Sequence, residues 1–230
     1  MSVSHSKRCV AEAVGTGLLL TTIVGSGIMG ERLSGGNVGL ALLANSIATG
    51  AGLSVFILLF GPISGAHFNP IVTLSAAASG RMSWRDAPGY IASQMVGALG
   101  GVAAAHAMFG AALWQLSTHT RSGLSLAFSE AIASFGLLAV ILGLSRSRPT
   151  ALACAVGIYI LAAYWFTAST SFANPAVTLA RAFTDTFTGI RPSDVPGFIA
   201  GQIAGAGAAV ALFRWLDPED AEGPRRGPRA

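Results

Sequence analysis

The feature that most limits what this chain can fold into is a segment that occurs twice. Ala66-His67-Phe68-Asn69-Pro70-Ile71-Val72-Thr73-Leu74-Ser75 has a near-copy in Ser171-Phe172-Ala173-Asn174-Pro175-Ala176-Val177-Thr178-Leu179-Ala180-Arg181. Asn-Pro reads as a turn or a helix start: Asn caps the first orphan amides, and Pro tolerates the first helical position because its missing N–H costs nothing there. A second pair follows, Pro88-Gly89-Tyr90-Ile91-Ala92-Ser93-Gln94 and Pro196-Gly197-Phe198-Ile199-Ala200-Gly201-Gln202. Each half therefore reads as a span with one Glu, a second span, an Asn-Pro half-helix, and a Pro-Gly-aromatic span with one Gln. Three full spans per half is an odd number, so the halves must cross a bilayer in opposite senses.

The bilayer follows from composition. The chain is 52% hydrophobic and only 10% charged, with 29 glycines, where a soluble domain carries about a quarter charged residues. Six apolar runs, near 9–29, 38–60, 87–113, 124–144, 151–168 and 195–216, approach the roughly 20 residues that a spanning helix needs. The first, behind Lys7 and Arg8, resembles a signal peptide, but its length and the internal Glu12 make it a retained span. The repeats divide the chain into 1–113 and 114–216, with a charged, Pro- and Gly-rich tail over 217–230 expected to be disordered. Gly97/Gly101 and Gly201/Gly205 are small-xxx-small pairs for close helix contact. Lysine and arginine gather on the side that holds both termini, which places the termini in the cytosol. No basic stripe is interleaved with aromatics, so nucleic acid is not a partner. Cys9 and Cys154 lie at apolar segments and form neither a disulfide framework nor a metal spacing. No cofactor is implied.

The Asn-Pro segments are too short to span and read as re-entrant, since irregular backbone at membrane depth survives only where protein buries it or water lines it. Inverted symmetry then sends one half-helix in from each side, with Asn69 and Asn174 meeting near the midplane. Positive helix ends there disfavour cations. A single Asn-Pro would more simply begin a surface helix; two copies in matched places argue against that.

On these residues the chain resembles the aquaporin and glycerol-facilitator family over nearly its whole length. Ser64-Gly65-Ala66-His67-Phe68-Asn69-Pro70-Ile71-Val72-Thr73 and Ser171-Phe172-Ala173-Asn174-Pro175-Ala176 carry the resemblance, with Glu12, Glu130, Gln94 and Gln202 in their expected settings. It implies an all-α polytopic membrane protein of six transmembrane helices plus two re-entrant half-helices, one pore per subunit, and a homotetramer. It also implies a ladder of pore carbonyls from Gly65, Ala66, His67, Ser171, Phe172 and Ala173. The implied cargo is a small neutral solute moving through the lipid bilayer, and no enzyme activity is expected.

Two positions depart from the family pattern. Ile71 stands where the first motif usually carries Ala. Val177 stands where most members place an Arg at the outer constriction. Arg181 lies one turn further along the same helical face, about 6 Å along the axis, and is not read as its replacement. By motif offset the remaining filter positions are Thr49, Ser171 and Ala162. Thr49, Ala162, Ser171 and Val177 would form a wide, weakly polar, uncharged ring. Such a ring fits a solute larger than water: a polyol or, by resemblance to arsenic-resistance-associated bacterial members, a neutral trivalent arsenical, methylated or not.

Glu12 and Glu130 are intramembrane acids and hence functional candidates by default. They read either as a proton relay in a coupled transporter or, preferably, as acceptors for the amides of each re-entrant loop. Gln94 and Gln202 would assist them. On the second reading Glu12→Gln keeps solute flux. His67 reads as a neutral hydrogen-bonding residue rather than a pH switch. Tyr164, Trp165 and Phe166 read as interface anchors.

Overall fold

A computed structural model describes residues 3–144 and 149–216; the expected tail over 217–230 lies outside them. Eight α-helices are present among the described residues: α1 His5–Leu33, α2 Val38–Ser64, α3 Pro70–Ala78, α4 Ala87–Met108, α5 Leu124–Leu144, α6 Pro149–Phe166, α7 Pro175–Ala180 and α8 Val195–Leu216. Short 3-10 turns follow α7 at Arg181–Phe183 and precede α8 at Pro192–Asp194. The order long, long, half, long occurs twice. The half-boundary expected after residue 113 falls in the irregular connection between α4 and α5.

The six apolar runs correspond to α1, α2, α4, α5, α6 and α8. Five of these helices are long and apolar enough to cross a membrane, whereas α6 contributes the shorter apolar stretch Ala151–Phe166. α1 begins at His5, four residues before the apolar run, because polar residues extend a helix past its apolar centre. α4 stops at Met108 rather than 113: Gly110 takes φ +68° and the Ala111 N–H donates to the carbonyl of His106. This reversal ends the helix with a left-handed residue.

α1 packs against α2 and α4, α5 packs against α6 and α8, and α2 packs against α6. Glycine sets the closest approaches. A Cβ on Gly97 or Gly101 of α4 would stand 2.1 Å or 2.2 Å from the carbonyl oxygens of Ala13 and Gly17 on α1. On α8, Gly201 and Gly205 stand in the same relation to Ala127 and Ala131 of α5, at 2.2 Å and 2.0 Å. Both small-xxx-small pairs thus permit backbone contact that no larger residue allows. Gly50 and Gly157 do the same between α2 and α6.

Candidate permeation site

Each re-entrant loop is built around one buried carboxylate. Glu12, on α1, is fully buried. Its Oε1 accepts the Ser64 hydroxyl at 2.6 Å and the His67 N–H at 3.0 Å; its Oε2 accepts the Phe68 N–H at 2.7 Å and the Gln94 amide at 2.8 Å. Glu130, on α5, accepts the Phe172 N–H at 2.9 Å, the Ala173 N–H at 2.8 Å and the Gln202 amide at 2.6 Å. Gln94 and Gln202 donate onward to Thr73 and Thr178, at 2.9 Å and 2.8 Å, and so tie each carboxylate to its half-helix.

The carboxylates hold backbone that would not stay in place alone. Ala66, Phe68, Ser171 and Ala173 have φ of 50°, 50°, 50° and 47°, and Thr170 has 61°. Left-handed conformations cost non-glycine residues roughly 1–2 kcal/mol each and persist where neighbours over-determine them. Ser64 and Ser169 add matched bonds, their hydroxyls accepting the N–H of Ala66 and Ser171 at 3.1 Å and 3.2 Å.

The half-helices start as the Asn-Pro pairs require. The Asn69 side-chain oxygen accepts the Ile71 N–H at 3.0 Å, and that of Asn174 accepts those of Ala176 and Val177 at 2.9 Å and 3.3 Å. Pro70 and Pro175 occupy the first turns. The nitrogen of each asparagine crosses to the other loop: Asn69 donates to the Ala173 carbonyl and Asn174 to the Phe68 carbonyl, both at 2.8 Å. The two helix starts are therefore locked to each other.

A cavity of about 230 Å³ runs past this junction, lined by residues of both loops, including Asn69, Asn174, Val72 and Val177. Since the half-helices start at the junction, their far ends point to opposite mouths, one near Arg81 and the other near Arg181. Gly65, Ala66, His67, Ser171 and Phe172 line the cavity, and no hydrogen bond among the described residues uses their carbonyls. The Ala173 carbonyl, expected in the same ladder, is instead taken by Asn69. Ile71 and Ala176 are buried behind the cavity, so the larger residue in the first motif packs without entering the passage. Glu12, Glu130, Gln94 and Gln202 are not in the lining.

Thr49, Ser171 and Val177 line the cavity, and the Ser171 hydroxyl is buried without a partner among the described residues. Ala162 does not: it lies on the exposed face of α6, while Ile160 and Tyr164 of the same helix face inward. Tyr164 is 3% exposed and its hydroxyl donates to Thr49 at 3.3 Å, so it is a cavity residue and not an interface anchor; Trp165 and Phe166 are exposed. Arg181 also lines the cavity, a charged residue beyond the four positions read as an uncharged ring. The motif offset missed it because α7 ends at Ala180, and the 3-10 turn changes the direction in which the next side chain leaves the backbone.

His67 joins the other mouth, its Nδ1 lying 3.1 Å from the Thr73 hydroxyl and its ring 5.3 Å from that of Tyr90.

The model of the family described as "Major intrinsic protein" matches residues 1–149. "Aquaglyceroporin AqpS" of Rhizobium meliloti (strain 1021) is 54% identical over 211 residues, which cover 92% of this chain and 90% of that protein. "Aquaporin NIP1-3" of Oryza sativa subsp. japonica is 34% identical, covering 94% of this chain and 77% of that protein. The X-ray structure of the aquaglyceroporin from Plasmodium falciparum superposes with a TM-score of 0.76 at 19% identity, covering 94% of this chain and 99% of that one. That likeness establishes the arrangement of six spanning helices and two re-entrant half-helices.

Proposed function

The chain belongs to the major intrinsic protein family, and from that premise we propose that it is a passive channel for water, glycerol-like polyols and neutral trivalent arsenicals. The observation that carries this reading is the cross-bonded pair of loops on one cavity, from which both intramembrane carboxylates are withdrawn. A solute passing the junction exchanges hydrogen bonds with the carbonyls of Gly65, Ala66 and His67 on one side and of Ser171 and Phe172 on the other. The second protons of the Asn69 and Asn174 amides are the donors between them. Val177, with Thr49 and Ser171, leaves a width that a bulkier side chain at 177 would remove. A trivalent arsenic hydroxide presents neutral hydroxyls much as a small polyol does. The runner-up, a proton-coupled transporter working through Glu12 and Glu130, loses support because each acid is occupied by loop amides and neither faces the passage. On this reading the chain sits in the inner membrane, the arginine and lysine bias supports both termini in the cytoplasm, and by resemblance it assembles as a homotetramer.

The test is a solute panel in proteoliposomes: water, glycerol, urea, arsenite and methylarsenite, with and without a pH gradient. Flux should follow the solute gradient and ignore the pH gradient. In Val177→Arg, glycerol and arsenite flux should fall about tenfold or more while water flux falls less, since a bulky cation narrows the passage. Unchanged glycerol and arsenite flux would remove Val177 from the constriction.

A further inference from the structure

Resting on that channel reading, we propose that Arg181 is a specificity-determining residue of the permeation path. On this reading it supplies a fixed guanidinium that turns cations away and donates hydrogen bonds to hydroxyl-bearing solutes. The repeat makes its placement informative. Counting from the two asparagines, Val72 matches Val177 and Thr73 matches Thr178, but Ala76 stands opposite Arg181. Only the second mouth receives a charge at this position.

The side chain is held by two contacts. It is 2% exposed, yet it lines the cavity. Its Nε donates to the carbonyl of Thr188, and its guanidinium carbon lies 3.4 Å from the centroid of the Phe172 ring. Phe172 is held in turn by its N–H on Glu130 and by an edge contact with Phe198 at 5.0 Å. The carbonyl of Arg181 accepts the Ile190 N–H at 3.2 Å, so the returning segment grips both backbone and side chain.

Its guanidinium has no ion-pair partner among the described residues. The nearest charged neighbour on the same ring is a second cation, Arg121, 5.2 Å from the Phe172 centroid. A guanidinium has five N–H donors in a fixed fork, and only the Nε donor is used by the described residues. A cation held without an ion-pair partner against a low-dielectric wall repels other cations. The unused donors favour solutes that bring oxygen lone pairs. Val177 then supplies the width and Arg181 the charge, roles that a single arginine at 177 would combine.

The experiment compares Arg181→Gln and Arg181→Lys with the unaltered full-length chain in proteoliposomes, reading glycerol flux alongside proton and sodium leak. Arg181→Gln should leak cations about tenfold faster, with glycerol flux within about threefold, and Arg181→Lys should restore exclusion. An Arg181→Gln protein that assembles, passes glycerol and still excludes cations overturns the proposal. If Arg181→Gln does not assemble, the unaltered protein decides. Phenylglyoxal labelling, mapped by peptide mass, should modify Arg181, and glycerol should protect it while the exposed Arg85 reacts equally in both conditions. No modification of Arg181 while the exposed Arg85 reacts, or modification that glycerol leaves unchanged, overturns the proposal as well. An unaltered protein that passes neither water nor glycerol would sink the channel reading instead.

Discussion

The loop around Asn69 and the loop around Asn174 are alike where they hold themselves and unlike where they meet a passing solute. The carboxylate, the glutamine, the threonine, the capping asparagine and the left-handed residues recur position for position. The rings do not. His67 lies beside Tyr90 on one side, whereas Phe172 meets Phe198 and carries Arg181 on the other. The packing behind them differs too. Phe68 fills the space over Gly15, whose Cβ would fall 2.0 Å from the ring, while the equivalent pair is Ala173 and Ala133, both fully buried. Supporting the loop backbone imposes one solution on both halves; lining two different mouths does not.

Several changes break or sharpen this comparison. The largest effect belongs to the carboxylates. Glu12→Gln places an amide N–H₂ where two donors already point. Removing that acceptor should lower stability by about 3–5 kcal/mol, as for a broken buried charge network. Solute flux through the Glu12→Gln protein that assembles remains the separate test of the relay reading. Glu130→Gln should cost less, because Glu130 holds three donors where Glu12 holds four. Thermal unfolding in detergent ranks the two, and an equal loss would mean that the Ser64 bond contributes nothing.

Next comes packing. Phe68→Ala should cost about 3 kcal/mol through the cavity it leaves. Adding Gly15→Ala, which gives the first half the alanine pair of the second, should recover part of that loss. No recovery would show that the two pairs are not interchangeable solutions.

Gly205→Ala and Gly97→Ala should each cost about 1–3 kcal/mol, since the new methyl meets a carbonyl oxygen across the crossing. A large difference between the two would show that the α1–α4 and α5–α8 contacts do not bear equal load.

The smallest effect is acid sensitivity at the Arg181 mouth. Asp185 accepts the Thr118 N–H at 2.8 Å and its hydroxyl at 2.9 Å, which hold its carboxyl below the usual 3.8. A depressed value means the bond stabilises the loop at neutral pH and is lost as pH falls through it, below 3.8. Proteolysis of the α4–α5 connection should rise about twofold at pH 3, and Asp185→Asn should reduce the pH dependence. The remainder belongs to Asp194, which accepts the Arg121 N–H of the same connection at 2.8 Å.

Much of this was legible before any coordinates. Odd-numbered spans, duplicated helix starts and matched Glu and Gln residues are discrete signals, and the structure has the helices and bonds that they imply. What stayed hidden was rotation and direction. α6 is apolar on nearly every side, so no periodicity says whether Ala162 or Tyr164 faces inward. The place of Arg181 in the cavity lining was missed because a regular helix was assumed to continue past Ala180. Arg181 is bonded to Thr188 and Ile190, partners further along the chain that no local pattern announces.

The paired asparagine bonds also bear on how the molecule is made. Asn69 and the Phe68 carbonyl belong to the first half of the chain, yet their partners, the Ala173 carbonyl and Asn174, are synthesised some hundred residues later. Until then the first loop carries a donor and an acceptor with nothing to meet inside a greasy environment. Biogenesis therefore cannot finish one half and then the other. The halves are obligate complements, like two fragments of a split protein joined by a tether, and the passage exists only once both are in place.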